Sequence, residues 1–355
     1  MRKLILHVGV HRTATTSIQR FMRANSEVLL DKGYLYPFGV ARHNAVVARM
    51  RYGILPVEEF AQDLQRRMDM KWGHVHTAVI SDEDISMIED FSQFAPLAEY
   101  FDVKVVVSLR RQDLWLESWY LQNVKWQWNL SLAHLTFDEF FEAREEFFWI
   151  DYATRLAQYE AVFGPGSVIA GVFEEADMPA GPIDAFLDMI GITDQSGLGA
   201  KLHQNSSLSP LATEFMRHLP LDEMKDIDRR LFEQASLALN KDLAVNGSKL
   251  IMSHARRLDV MAEYSAGNEA VAKRYLGRYQ LFRAPLPGPL EPLANTTLPT
   301  DAAGLMEDFM APFVRALGVE VTKLRLANEA GSGGTTASPN SSGPAGRKDR
   351  ARPRS

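Results

Sequence analysis

The sequence predicts an α/β fold of three layers, a central parallel sheet between helices, followed by a helical C-terminal portion. Two observations carry this expectation. Short apolar runs of strand length recur at 4–8, 78–80, 103–108 and 167–173, and strands buried on both faces read as such continuous runs. Between them lie segments with apolar residues at helical spacing, and alternation of strand with helix indicates a parallel sheet. From about residue 207 the strand-like runs stop and only helical patterns follow. The expected division is a core over 1–200, a helical cap or flank of the same domain over 201–326, and a disordered tail over 327–355.

The first strand, 4–8, is closed at once by Gly9 and a threonine-rich turn, and a helix begins near Thr15 with Ile18, Phe21, Met22, Val28 and Leu29 at helical spacing. Residues 33–37 read as a short extended segment closed by Pro37. A helix is expected over 57–71, with Val57, Phe60, Leu64 and Met68 on one face. The 78–80 strand ends in Ser81, Asp82, Glu83 and Asp84. The 103–108 strand ends in Leu109, Arg110 and Arg111 and leads into an aromatic-rich helix over 112–127. A helix over 151–163 is stopped by Gly164, Pro165 and Gly166; the 167–173 strand and a helix over 183–190, stopped by Gly191, complete the alternation. Helical runs at 223–244 and 254–276 follow. The four prolines between 285 and 292 demand a loop, and a further helix lies near 301–317. Beyond Ala327 the chain is rich in Gly, Ser, Thr, Asn and Pro and ends in a basic cluster, a composition that buries too little apolar surface to fold.

Composition narrows the function classes. With 46% hydrophobic and 24% charged residues in 355, a substantial core is expected. The formal net charge of −6 argues against nucleic acid as the main partner. There is no cysteine, which excludes disulfides, thiolate metal sites and a cysteine nucleophile and fits a reducing compartment. The N-terminal apolar run is too short for a secretion signal and is ended by His7, His11 and Arg12; no segment approaches the length of a membrane span, so a cytoplasmic location is the default expectation.

The turn after the first strand is the chemical centre of the chain. Strand, glycine turn and helix together aim free backbone N–H groups and a positive helix end at one point, which suits phosphate or a similar oxyanion. Thr13, Thr15, Thr16 and Ser17 add hydroxyls and Arg12 adds a fixed cationic fork. The competing reading is a helix that simply follows a strand, with the threonines as caps. Aligned to the nucleotide loop G-x-x-x-x-G-K-[ST], the chain supplies Gly9 and Thr16, but alanine stands at position 14 in place of the second glycine and Thr15 in place of the lysine. The missing lysine argues against an ordinary ATP or GTP hydrolase.

The stretch from His7 through Gly9, Arg12, Thr13, Ala14, Thr15, Thr16 and Ser17 to Gln19 resembles the sulfotransferase family, whose loop reads H-x-G-x-x-K-T-G-T-T-S-[IL]-Q. A second match lies at the end of the 103–108 strand. There Arg110 is followed eight residues later by Ser118 and then by Tyr120, as in the family's pair of residues that holds the 3′-phosphate of the nucleotide. Weaker similarities continue to about residue 283, at 151–164, 186–192, 205–208 and 268–277. The resemblance implies a P-loop-like fold and the donor 3′-phosphoadenosine 5′-phosphosulfate (PAPS). Its sulfonate would pass to an acceptor hydroxyl or amine, with no metal, and a carbohydrate or lipid-linked acceptor is the usual family expectation. It further implies that residues 13–16, with the Thr15 and Thr16 hydroxyls and Ser17 beside them, hold the 5′-phosphate. Arg12 would replace the family lysine at the bridging oxygen, and Arg110 with Ser118 would hold the 3′-phosphate in a second pocket on the same sheet rim. Glu83 is the first candidate for the base that deprotonates the acceptor, against a capping box of Ser81 with Asp84. His43 is the alternative base or a substrate contact, and His11 a further candidate. Trp115, Trp119, Trp126 and Trp128 could stack on sugar rings, but the four-residue spacing of Trp115 and Trp119 fits a helix–core contact better. Two alternatives stay open: a noncatalytic nucleotide-binding protein of the same fold, and a kinase-like transferase of the same loop fold, for which the loop lysine is missing.

Overall fold

A computed structural model of the chain describes residues 1–70, 73–127, 129–201, 208–243 and 247–332. Five strands form one sheet in the order β2-β3-β1-β4-β5, every pairing parallel: β1 (Lys3–His7), β2 (Tyr34–Leu35), β3 (Thr77–Ser81), β4 (Asp102–Leu109) and β5 (Val168–Val172). The first strand is central. His7 lies in register with Ser81 on one side and Val106 on the other, so the chain leaves all three inner strands at one edge.

Side-chain alternation along the strands builds the two outer layers. Leu4 and Leu6 of β1, Ala78 and Ile80 of β3, and Val103, Val105 and Val107 of β4 enter one core with Phe60, Leu64, Trp115, Leu116, Leu156 and Tyr159. Ile5, Val79 and Val106 point the other way, into a core with Ile18, Phe21 and Met22 of α1 (Thr15–Ala24) and Ile183, Phe186 and Leu187 of the Pro182–Met189 helix. These are helices on both faces of a parallel sheet, the expected three-layer α/β architecture. A third cluster, Phe215, Ala235, Leu239, Phe309 and Phe313, joins the helices Pro210–Met216 and Asp226–Leu243 to the C-terminal helical segment.

Some boundaries differ from the sequence expectation, each for a local reason. The expected 254–276 helix is two, His254–Glu263 and Ser265–Leu276, divided at Tyr264. The C-terminal helix runs on through a π-helical turn at Leu305–Met310 into Ala311–Ser332, so residues 327–332 are helical where tail was expected. Leu317, Val319 and Leu326 extend an apolar pattern that the glycine-rich sequence beyond them obscures. Trp128, the 205–207 part of one similarity, residue 244 and the tail from 333 lie outside the described residues. No helix among the described residues is long and apolar enough to cross a membrane.

Candidate functional site

The β1–α1 loop is folded tightly and tied down at almost every residue. Gly9, Arg12 and Ala14 take positive φ of 68°, 71° and 61°. At Gly9 the reason is steric as well: a Cβ there would lie 2.7 Å from Thr15 Cγ2 and 3.2 Å from Glu83 Cβ. The Val8 and Val10 amides donate to the Val106 and Ser108 carbonyls, and Thr13 Oγ1 donates to the Val10 carbonyl at 2.6 Å. Trp115 Nε1 donates to the His11 carbonyl at 2.9 Å, and Arg110 Nη1 to the Arg12 carbonyl at 2.7 Å. These anchors hold a backbone conformation that side-chain-bearing residues avoid; a left-handed alanine costs about 1 kcal/mol or more.

Ala14 is the N-cap of α1, and no side chain caps the helix there. No acidic residue stands in its first turn. The opening N–H groups of α1 therefore rely on an external acceptor, at the positive end of a ten-residue helix. Thr16 is exposed and Ser17 half-buried at this mouth; Thr13 and Thr15 are buried and fix the loop from inside.

The Gln112–Trp126 helix packs over this loop. Residues 115, 118, 119 and 122 share one face. Ser118 Oγ accepts from Arg12 Nε at 2.6 Å, Gln122 Oε1 accepts from Arg12 Nη1 at 2.8 Å, and the Trp119 ring lies 4.7 Å from that of His11. The threonine turn and the Arg110–Ser118 pair thus adjoin on one sheet rim, linked through Arg12. The helix starts directly at the strand end, which puts Ser118, two turns in, above Arg12. Gln122 was missed in the sequence, although it lies one turn beyond Ser118 on the same face.

Arg110 and Arg111 diverge. Arg111 is buried in a bidentate pair with Asp113 (2.7 and 3.2 Å) and donates to the Ala284 and Pro285 carbonyls. Arg257, also buried, bridges Asp113 and Glu117, and Glu117 in turn accepts from the Ile251 and Met252 amides. This network fastens the C-terminal portion to the helix and is architectural. Arg110 meets no carboxylate among the described residues, and its Nε has no acceptor among them. Burial, and then the neighbouring Arg110 charge, pull the Arg12 guanidinium down to about 10; burial also lowers Arg110. Two mutually repelling, partly buried guanidiniums beside an uncapped helix start form an electropositive spot that an anion would relieve.

The acidic side of the site lies at the end of β3. Glu83 is buried; its Oε2 accepts from Gln19 Nε2 at 2.6 Å and its Oε1 lies 3.5 Å from Arg42 Nη1. Arg42 also holds Asp82 at 2.7 Å and Asp84 at 2.5 Å, and His11 Nε2 pairs with Asp84 at 3.0 Å. Burial pushes Asp82 up to about 6 despite Arg42; at Asp84 burial is outweighed by His11 and Arg42, which hold it down at about 2. The cap of this turn is Asp82, which accepts from the Asp84 amide, and not the Ser81–Asp84 box: Ser81 stays in the strand and pairs with His7 Nδ1. His43 is fully enclosed. Its Nδ1 accepts from the Ser81 amide at 3.0 Å and its Nε2 meets the Pro37 carbonyl at 3.1 Å, which fixes a neutral tautomer and commits both nitrogens to the backbone. Arg42 and Gln19 carried no sequence signal for this role, because Glu83 is distant from both in the chain. Trp115 and Trp119 are core residues, stacked at 5.2 Å. Among the described residues no group of three or more His, Asp or Glu side chains could hold a metal ion.

No protein-family model matches the chain. An uncharacterized protein of Archaeoglobus fulgidus is 29% identical over 182 residues, covering 50% of this chain and 47% of that protein, so the chain aligns with about half the length of this relative. Among solved structures, a sulfotransferase from Alicyclobacillus acidocaldarius aligns over 67% of this chain and 94% of its own, at 15% identity and a TM-score of 0.37. A likeness at that level carries no argument about chemistry.

Proposed function

We propose that the protein is a sulfotransferase that moves a sulfonate group from PAPS to a hydroxyl or amine of an acceptor. The observation that carries this reading is the convergence of Arg12, Arg110 and Ser118 on the uncapped start of α1, linked by the Arg110–Arg12 and Arg12–Ser118 hydrogen bonds. The residues fit a nucleotide with phosphates at both ends. The amides of residues 13–16, with the Thr15 and Thr16 hydroxyls and Ser17, would receive the 5′-phosphate. Arg110 and Ser118 would receive the 3′-phosphate. Arg12, hydrogen-bonded to both Arg110 and Ser118, would meet the oxygen that bridges phosphate and sulfonate.

In the transfer the acceptor oxygen or nitrogen attacks sulfur, the sulfur–oxygen bond to the phosphate breaks, and the acceptor proton passes to a base. Catalysis then rests on positioning and on neutralising charge at the leaving phosphate, as in loose phosphoryl transfer. Arg12 supplies charge but no proton. Glu83 is the proposed base, with Gln19 and Arg42 holding its two oxygens. His43, with both ring nitrogens on backbone groups, belongs beneath the site as a support of the β3 end. The reducing, cytoplasmic setting and a nucleotide as small-molecule partner belong to the same proposal.

Calorimetry with 3′-phosphoadenosine 5′-phosphate against ATP with Mg²⁺, followed by transfer from labelled PAPS, tests the reading. Preference for the 3′-phosphorylated nucleotide together with labelled product supports it. In Glu83→Gln donor binding persists and transfer falls at least a hundredfold, the usual scale of a lost general base. Binding without transfer over a broad acceptor panel reduces the protein to a nucleotide binder, and preference for ATP overturns the proposal.

A further inference from the structure

A cavity of about 510 Å³ is lined by Trp119, whose ring lies 4.7 Å from that of His11 in the loop, and part of its wall comes from the two elements that carry the site. Trp119 and Asn123 come from the helix that bears Ser118 and Gln122, and Met87 comes from the turn that begins at Glu83. The opposite wall carries Phe147 and Trp149, and Glu89 and Glu146 stand exposed in its lining. Among the described residues no lysine, arginine or histidine lines it. Trp149 is 6% exposed, and its Nε1–H has no acceptor among the described residues. A buried indole donor ordinarily has a partner, so this one marks a place for a ligand oxygen.

A second cavity, of about 580 Å³, shares Glu89, Phe147 and Phe148 with the first and lengthens it into a groove. It adds the carboxylates of Glu145, Asp151 and Glu263. Its two arginines are already committed: Arg144 pairs with Glu263, and Arg155 donates to the Ile85 and Ile88 carbonyls. The groove is therefore aromatic and net acidic, with five carboxylates against two guanidiniums in its lining.

We infer that this groove seats the acceptor, and that it is built for an elongated, amine-bearing polyhydroxyl chain. Aromatic walls suit the apolar faces of saturated rings, the Asn129 amide and the Trp149 indole suit hydroxyls, and the carboxylates suit ammonium groups. An acceptor with carboxylates or sulfates along its length meets mostly like charge. The inference rests on the transferase reading, since only that reading makes the occupant an acceptor.

Binding is measured by tryptophan fluorescence and calorimetry on the full chain at about pH 6, where the amines are protonated and the carboxylates charged. The probes are a tetramer of glucosamine, its N-acetylated counterpart and a tetramer of galacturonic acid. The glucosamine tetramer is expected to bind best and the galacturonate tetramer least. The double substitution Glu89→Gln with Glu146→Gln should weaken the glucosamine tetramer about fivefold, the scale of two exposed ion pairs, and leave the N-acetylated one unchanged. Trp149→Phe, which keeps the ring and removes the donor, should weaken both. Equal binding of the three probes, a galacturonate preference, no binding at all, or a preference that survives the double substitution overturns the inference. Binding of 3′-phosphoadenosine 5′-phosphate, measured on the same samples, separates this outcome from failure of the transferase reading: the donor site can stand while the acceptor assignment falls.

Discussion

Removal of Arg110 should separate stability from function. Its guanidinium is partly buried, donates to the Arg12 carbonyl, and repels Arg12. Arg110→Ala forfeits that bond, worth about 1 kcal/mol, but also relieves a partly buried cation of its desolvation and its like-charged neighbour. The two effects oppose each other, so the melting temperature should move by no more than about 2 °C. Nucleotide binding has no such offset. A charge-assisted hydrogen bond to a phosphate is worth about 1.5–3 kcal/mol, so affinity for 3′-phosphoadenosine 5′-phosphate should fall roughly tenfold to a hundredfold. Adenosine 5′-phosphate, which lacks the 3′-phosphate, should bind the variant nearly as it binds the parent. Calorimetry with both nucleotides, alongside a thermal melt, gives the three numbers needed. Equal losses for the two nucleotides would mean that Arg110 acts only through the loop, and no loss for either would refute the assignment.

Three further outcomes follow from the same geometry. Ala14→Gly relieves a left-handed alanine at φ 61° and should raise stability by about 1 kcal/mol, offset in part by the greater freedom of glycine in the unfolded chain; denaturant titration reads it. Arg257→Met leaves Asp113 and Glu117 without a shared cation inside the protein and should destabilise it by about 3–5 kcal/mol, visible as a lower urea midpoint. Asp84 has a folded-state pKa depressed to about 2, so it contributes stability above its unfolded value of 3.8 and loses it as pH falls through 2. Asp84→Asn should therefore be less stable than the parent at neutral pH, with the gap closing as pH falls from about 4 toward 2; urea titrations over that range check the convergence.

Much of the architecture was legible because its signals are local. Runs such as 103–108 can be satisfied only by burial on both faces, and the spacing of Val57, Phe60, Leu64 and Met68 leaves one helical face to bury. The loop could be located for the same reason: a glycine followed by threonines after an apolar run is a sequence pattern, and Ala14 could be flagged because the φ sign needed there is a property of one residue. Other boundaries were less legible, as at Tyr264, where one helix becomes two, and at 327–332, where the last helix runs on into a stretch whose composition reads as tail.

Apart from Arg111 with Asp113, two positions on, the charge partnerships of the site belong to the tertiary structure. In the sequence Arg110 and Arg111 are equivalent, adjacent cations. The fold buries Arg111 against Asp113 and turns Arg110 toward the Arg12 carbonyl, because successive residues at a strand end face opposite ways. Likewise Glu83 acquires Gln19 and Arg42 only when parallel pairing in register brings the ends of β1 and β3 together. The sequence by itself determined which elements form and where the loop proposed to hold an anion lies. Which of its charged groups are spent on the fold, and which are left facing a ligand, was decided by contacts between residues forty to a hundred and fifty positions apart, which no local spacing encodes.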